Sequence, residues 1–389
     1  MTGTPQPVRP RVLFLNNQGL ASIGGGVTIL RHLAAAFAID CDVTVLSHDA
    51  PADPAILPEA AGVRQLMVAL PVAPGRLWRL APLLRARHLA RTVPDGTLAG
   101  ADLIIALDCH FELLLRRLPP RRLIYLSLSC IPRQEWFAST GAQRPLRFLQ
   151  YAVLERRIAT AADVVVVSSA MHAAELVRFE RLRRLRPALL RPLFPSPAPL
   201  SRTRTSESVT ILSAGRLEPA KNFLAVIALA QRLRDLPCRF VIAGDGPERA
   251  GLQARAVAAG VEGYVSFAGP VTDFNALLAQ SDIFLHPSRY ESFGMVVFEA
   301  MRAGVPPVGG RGRILAGYTE IVHDGIDSCL VDFDQPDMAA AALRRVVTDP
   351  ALRARMGIAA QETARKLLVN DYVAAFRRVA DPLLEGRAA

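Results

Sequence analysis

Lysine is nearly missing from this chain. Of its 46 basic residues, only Lys221 and Lys366 are lysine and the rest are arginine. Cysteine is sparse as well. Cys41, Cys109, Cys130, Cys238 and Cys329 are widely spaced and form no C-x-x-C pair. That excludes a disulfide framework or a cysteine zinc site, and fits reduced thiols used as small apolar residues. No stretch offers the ~18 uncharged apolar residues a membrane span needs. Residues 1–10 are polar and proline-rich, with no apolar signal core. The expectation is a cytoplasmic chain without an integral membrane segment. Aromatic content is only 6%, and helix-turn-helix, zinc-finger and RNP signatures are lacking, which argues against nucleic acid as a partner. Neither a D-x-D motif nor a cluster of histidine and carboxylate is read as a metal site, so neither a metal nor another cofactor is expected.

What is present is positive charge, unevenly placed. Residues 1–200 carry 24 Arg against 14 acidic residues, a surplus of 10; residues 201–389 carry 22 basic against 21 acidic, a surplus of 1. The first half therefore suits an anionic partner such as a membrane or a phosphorylated substrate, or is simply a solvated arginine-rich surface. Residues 75–93 mix Arg with Leu and Trp78, and residues 178–191 are again Arg-rich. Such a surface fits peripheral association with anionic lipid on the inner face of the plasma membrane; a helix facing its own core fits the first segment equally.

Short apolar runs alternate with helical patterns in both halves. Strands are predicted at 12–15, 43–47, 63–68, 103–107, 123–126 and 164–167, then at 209–212, 239–243, 265–267, 283–285 and 305–308. Helices are predicted at 28–38, 146–160, 224–233, 249–259, 274–279 and 295–303. Runs that are apolar throughout suit parallel sheets covered on both faces. Residues 191–205 read RPLFPSPAPLSRTRT, too rich in proline for a regular element, and mark the linker. The fold class is thus α/β: two Rossmann-like, doubly wound domains, 1–195 and 206–389, facing a central cleft, with the last helix free to pack back on the first domain.

Residues 286–306, HPSRYESFGMVVFEAMRAGVP, carry most of the chemistry. Glu291 stands before a helix expected to open near Ser292, and Glu299 lies inside it. Eight helical residues span roughly 12 Å, wide for a glycosidase acid–base pair of about 5–9.5 Å. Two carboxylates gripping hydroxyls along an elongated ligand fit better. The amides of Phe293, Gly294 and Met295 would seat a phosphate between them. A helix-start carboxylate and a solvated glutamate are the plainer alternative. Residues 213–222, SAGRLEPAKN, place Gly215, Arg216 and Lys221 on a strand-end loop, two cations able to neutralise a diphosphate. A surface pair of Arg216 with Glu218 is the alternative. Gly244 opens the turn GDGP, which on its own is equally a structural turn. Gly25 and Gly26 belong to a loop before the helix at 28–38, whose amides could approach phosphate. His110 ends the strand of 103–107, with Asp108 beside it.

Residues 286–306 closely resemble the signature of the retaining glycosyltransferases of family 4, which have the GT-B architecture. The E-x7-E spacing, the S-F-G after the first Glu and E-A-M-x-x-G-x-P after the second all match. The resemblance implies that Glu291 and His110 contact the donor sugar and that Glu299 contacts the nucleotide ribose. It also implies that Arg216 and Lys221 hold the donor pyrophosphate, and that the glycine loop lies over the phosphates. The donor would be a UDP- or GDP-sugar and the acceptor a glycan or lipid-linked glycan, with retention at the anomeric carbon and no obligatory metal. After Pro306 the chain departs from the family pattern: Gly309 to Gly312 run into Arg313, and Asp327–Ser328 replaces the usual Asn-Gly turn. A nucleotide-sugar epimerase of similar two-domain shape is the alternative, against which the S-F-G-x4-E spelling speaks.

Overall fold

The structure, a computed structural model, describes residues 8–20, 24–48, 62–69, 81–117, 122–132, 144–179, 185–194, 208–311, 315–368 and 371–386. Two parallel sheets organise them. The first has the order β3-β2-β1-β4-β5-β6-β7. Its strands are β1 Arg11–Leu15, β2 Asp42–Ser47, β3 Val63–Met67, β4 Leu103–Ala106, β5 Leu123–Ser127, β6 Val164–Val167 and β7 Ala188–Leu189. The second has the order β10-β9-β8-β11-β13-β15. It comprises β8 Val209–Ala214, β9 Cys238–Ala243, β10 Val265–Gly269, β11 Ile283–His286, β13 Pro307–Gly310 and β15 Cys329–Val331. A separate ribbon pairs β12 Tyr290–Glu291 with β14 Leu315–Ala316.

The strands are buried on both faces, which is why they read as continuous apolar runs. In β4 (LIIA) and β11 (IFLH) every residue is buried. The period of two divides each strand between two cores. Leu13 and Leu15 join one cluster while Val12 and Phe14 join the other. Ile283 and Leu285 likewise oppose Phe284. The helix Gly25–Phe37 covers the first sheet with Leu30, Leu33, Ala34 and Phe37, a stripe at helical spacing.

In both sheets the winding reverses beside the first strand, between β1 and β4 and between β8 and β11. Such a reversal leaves a crevice beyond the carboxyl ends of those strands, the usual seat of a ligand. The helix Tyr372–Glu385 returns to the first sheet. Its Tyr372, Phe376, Ala380 and Leu384 share that core with Phe37, and the Arg377 guanidinium lies 4.0 Å over the Phe37 ring. At the described end of the proline-rich stretch, Leu193 is buried in the second domain and Phe194 stacks on His32 of the first. Residues 195–205 lie outside the described residues.

Several expectations shift. Gly25 and Gly26 are the first residues of their helix and not a loop before it. The helix expected near Ser292 begins at Met295, because Gly294 takes a left-handed φ of 85° at its N-cap. Of the basic segments, 75–80 and 180–184 lie outside the described residues. Residues Ala81–Thr92 form a helix that buries Ala86 and Leu89 in its own core.

Candidate active site

The loops after β8 and β11 are stitched together. After β8 a single 3-10 turn, Pro219–Lys221, ends at Asn222 in the left-handed conformation. Asn222 Nδ2 donates to Pro287 O at 3.2 Å, and Arg289 N donates to Ala220 O at 2.9 Å. These bonds bring Lys221 to Glu291, where Nζ donates to Oε2 at 2.6 Å. The buried His286 ring stands at the end of β11 with Nε2 3.4 Å from the same oxygen. Tyr318 packs edge-on against that ring, 5.1 Å between centroids. Among the described residues Oε1 of Glu291 takes no bond and is the oxygen left for a ligand hydroxyl.

Electrostatics follow from this packing. Burial works against the Glu291 charge, but the Lys221 ammonium and His286 outweigh it and hold the carboxyl down at about 2. Burial also opposes the Lys221 charge, and Glu291 more than offsets it, raising the ammonium above its ordinary value. Burial keeps His286 below the usual imidazole range. Glu299 differs: with burial dominant and only Arg302 opposing, its carboxyl is pushed up to about 7.

Glycines set the backbone approach. A Cβ on Gly244 would fall 2.0 Å from Gly215 O, so these two strand-end loops touch through bare backbone. A Cβ on Gly294 would crowd Tyr318 and the Glu291 side chain at 3.1–3.3 Å. Phe293 is buried in the core behind the site. Met295, at the start of its helix, reaches across to the first domain, where its Sδ would lie 3.5 Å from a Cβ on Gly25. A Cβ on Gly26 would strike Leu128 at 2.9 Å. Arg216 adopts the plainer of its two expected roles: it pairs with Glu218 at 3.6 Å and its side chain is 65% exposed. A rotation of that long side chain is needed to bring it to a diphosphate.

In the first domain, His110 and Asp108 follow β4. Asp108 Oδ1 accepts from His110 N at 2.7 Å and from Nδ1 at 2.6 Å. Charge from His110 and His48 outweighs burial and holds Asp108 well below the carboxylate range. That assigns the proton to Nδ1 and leaves Nε2 of His110 buried and unbonded. His48, which follows β2, packs edge-on against His110 at 5.6 Å. The sequence reading of no histidine–carboxylate cluster is therefore corrected. His48, Asp108 and His110 offer ligand atoms within 4.8 Å of one another, joined from two strands that flank β1. The expectation that the chain has no D-x-D motif is likewise corrected: the sequence carries two, at 40–42 and 332–334, and one aspartate of each is ion-paired, Asp40 with Arg377 and Asp334 with Arg289 at 3.9 Å. Residues 40 and 48 gave no local signal of these partners because the contacts are made by the fold.

Comparison with known proteins places this geometry. The model for glycosyl transferases group 1 matches residues 201–363, and that for a glycosyl transferase 4-like domain matches residues 24–192. A lipopolysaccharide core biosynthesis glycosyltransferase, LpsE of Rhizobium meliloti, is 32% identical over 43% of this chain and 49% of its own length. A D-inositol 3-phosphate glycosyltransferase of Nocardioides is 30% identical over 54% of this chain and 52% of its own. The chain thus spans about half the length of the curated relatives it matches. In fold it is similar to HepE of Anabaena, solved with UDP and glucose, with a TM-score of 0.71 at 22% identity over 96% and 99% of the two chains. WaaG, a glycosyltransferase involved in lipopolysaccharide biosynthesis, gives 0.71 at 20% identity over the same shares. With both halves matched and both crevices formed, the chain belongs to the group 1 glycosyltransferases of GT-B architecture.

Proposed function

We propose that the chain transfers a hexosyl unit from a UDP- or GDP-sugar to a glycan or lipid-linked acceptor, with retention of anomeric configuration. The observation that carries the reading is the Lys221–Glu291 pair, held at 2.6 Å beyond the carboxyl ends of β8 and β11. The relatives named for lipopolysaccharide core and inositol phosphate glycosylation, and the fold neighbour solved with UDP, support the donor and acceptor classes.

The donor diphosphate lies against Lys221, the start of the helix Met295–Arg302 and a rotated Arg216. Glu299 takes the ribose hydroxyls, while Glu291 and His110 take hydroxyls of the sugar. The bond from the anomeric carbon to the diphosphate oxygen breaks, and a bond to the acceptor oxygen forms on the same face. The acceptor proton passes to the departing phosphate oxygen. Lys221 has three N–H donors and gives one to Glu291, so two are left for the charge that grows on the leaving group. Lys221 and the rotated Arg216 fill the place a metal would take, and no obligatory metal is proposed.

A thermal-shift panel of UDP- and GDP-sugars tests this. The cognate donor at 100 times its dissociation constant adds about 2.7 kcal/mol of stability. The epimerase alternative finds no support in the matched family models and relatives, and incubation with donor alone, which an epimerase would turn into a new nucleotide sugar, should leave the sugar unchanged.

Peripheral attachment at the cytoplasmic face of an anionic membrane belongs to the same proposal. Among the described residues no helix is long and apolar enough to cross a membrane. The helix Arg144–Ala161 exposes Leu146, Leu149 and Val153 on one side, flanked by exposed Arg156 and Arg157. Vesicles rich in anionic lipid should sediment the protein at low salt and release it at high salt; no sedimentation at low salt rejects the attachment.

A further inference from the structure

The residues on either side of Glu291 are bonded to the other domain. Tyr290 turns its hydroxyl to the backbone of Cys130, which follows β5. It donates to Cys130 O at 3.1 Å and accepts from Cys130 N at 2.8 Å. Ser169, which follows β6, donates through Oγ to Ser292 O at 2.8 Å, and the same Oγ accepts from His172 N at 3.0 Å. Tyr290 is 3% exposed and Ser169 0%, so water does not substitute for a lost bond at either place. The Tyr290 ring also completes a small apolar cluster with Cys130 and Ala220. Ala220 precedes Lys221 and is the acceptor for Arg289 N. The first domain therefore touches both chain neighbours of Glu291 and packs near the residue before Lys221.

Two further features fix the fit. Glu320 accepts from Ala170 N at 3.1 Å and Met171 N at 2.7 Å, in the first turn of the helix Ala170–Phe179, where a carboxylate is favoured. A Cβ on Gly317 would fall 1.9 Å from Ser292 O and 2.8 Å from Ser169 Oγ, so the contact admits no side chain there.

We propose that Tyr290 and Ser169 are positioning residues that make the placement of Glu291 depend on docking of the first domain. The inference rests on the reading of Glu291 as the donor-sugar contact. Nucleotide binds to the second domain whether or not the domains are docked. Cleavage of the sugar–phosphate bond waits for the first domain, which also brings the acceptor, so the donor is protected from water until then.

The test uses the full chain with Tyr290→Phe, Ser169→Ala and the double variant. Tyr290→Phe keeps the ring and removes only the hydroxyl. The expected result is a kcat reduced at least tenfold in the double variant, with the dissociation constant for UDP or GDP within threefold of the unaltered chain. Spin labels at Arg157→Cys and Arg255→Cys, one exposed site per domain, report the separation of the domains. The native cysteines are buried and stay unlabelled. The double variant should broaden the distance distribution. Unchanged kcat, a matching loss of nucleotide affinity, or an unchanged distribution would each overturn the proposal. An unaltered chain that binds no nucleotide sugar would remove the functional reading instead, and the label distances would still decide whether these two residues hold the domains together.

Discussion

Lys221 and Glu291 form a neutral unit as long as both are present, and each is costly to leave alone in a half-buried place. Lys221→Ala should lower stability by about 1–3 kcal/mol and transfer by roughly 100-fold or more, read by urea unfolding and initial rates. Glu291→Gln should cost similar activity with less stability, since an amide can still accept from the ammonium. The sign of the pH effect follows from the depressed carboxyl. Stability from Glu291 is complete above its ordinary value of 4.5 and is lost as pH falls through about 2. Glu299 has the opposite sign. Its carboxyl, raised to about 7, penalises the fold once it ionises, a cost that grows from pH 4.5 and is complete above about 7. Ligand-free Glu299→Gln should therefore be more stable than the unaltered chain at pH 8, by on the order of 2 kcal/mol, and no more stable at pH 4. Ribose hydroxyls prefer the carboxylate, so nucleotide affinity should rise with pH through 7 and lose that rise in the same variant, as calorimetry at several pH values would register. These acids and Lys221 were legible because a short motif spells them. His48, Tyr290 and Ser169 were not, since their partners lie on other strands or in the other domain.

Strands long enough to show a pattern were readable, and very short ones were not. The runs at 103–107 and 283–285 announce themselves as apolar throughout, and both became buried strands beside a winding reversal. β7, β12 and β14 have two residues each, too few for any period to show. The starts of two helices were misplaced for one reason, the local freedom of glycine. Gly25 and Gly26 entered a helix that extended further forward than their composition suggests, and Gly294 delayed another by turning left-handed. The amphipathic spacing of Tyr372, Phe376, Ala380 and Leu384 was there to be read, but nothing local says which sheet that helix covers. At this scale Gly244 leaves no room for a Cβ against Gly215 O. Gly244→Ala, at a φ of 129°, should destabilise by about 2 kcal/mol or more and weaken nucleotide binding, measured by thermal melting with and without UDP or GDP.

The whole molecule is two Rossmann-like units tied in several places. The helix Tyr372–Glu385 clasps the first domain, Leu193 and Phe194 anchor the crossing segment, and the residues around Glu291 bond to Cys130 and Ser169. The charge asymmetry belongs to this scale too, because it leaves the first half basic while the second is nearly balanced. Two repeating strand–helix patterns broken by a proline-rich stretch were enough to anticipate two domains. They could not fix how closely those domains meet, which depends on buried bonds between residues far apart in sequence.

The most direct measurement is a titration of UDP- and GDP-sugars into the unaltered chain, Lys221→Ala and Glu291→Gln, followed by heat release. One donor should bind the unaltered chain saturably, with affinity cut at least tenfold in Lys221→Ala and the sugar-dependent part of the affinity lost in Glu291→Gln. Equal affinity in all three proteins, or binding of no nucleotide sugar by a folded unaltered chain, would contradict the account.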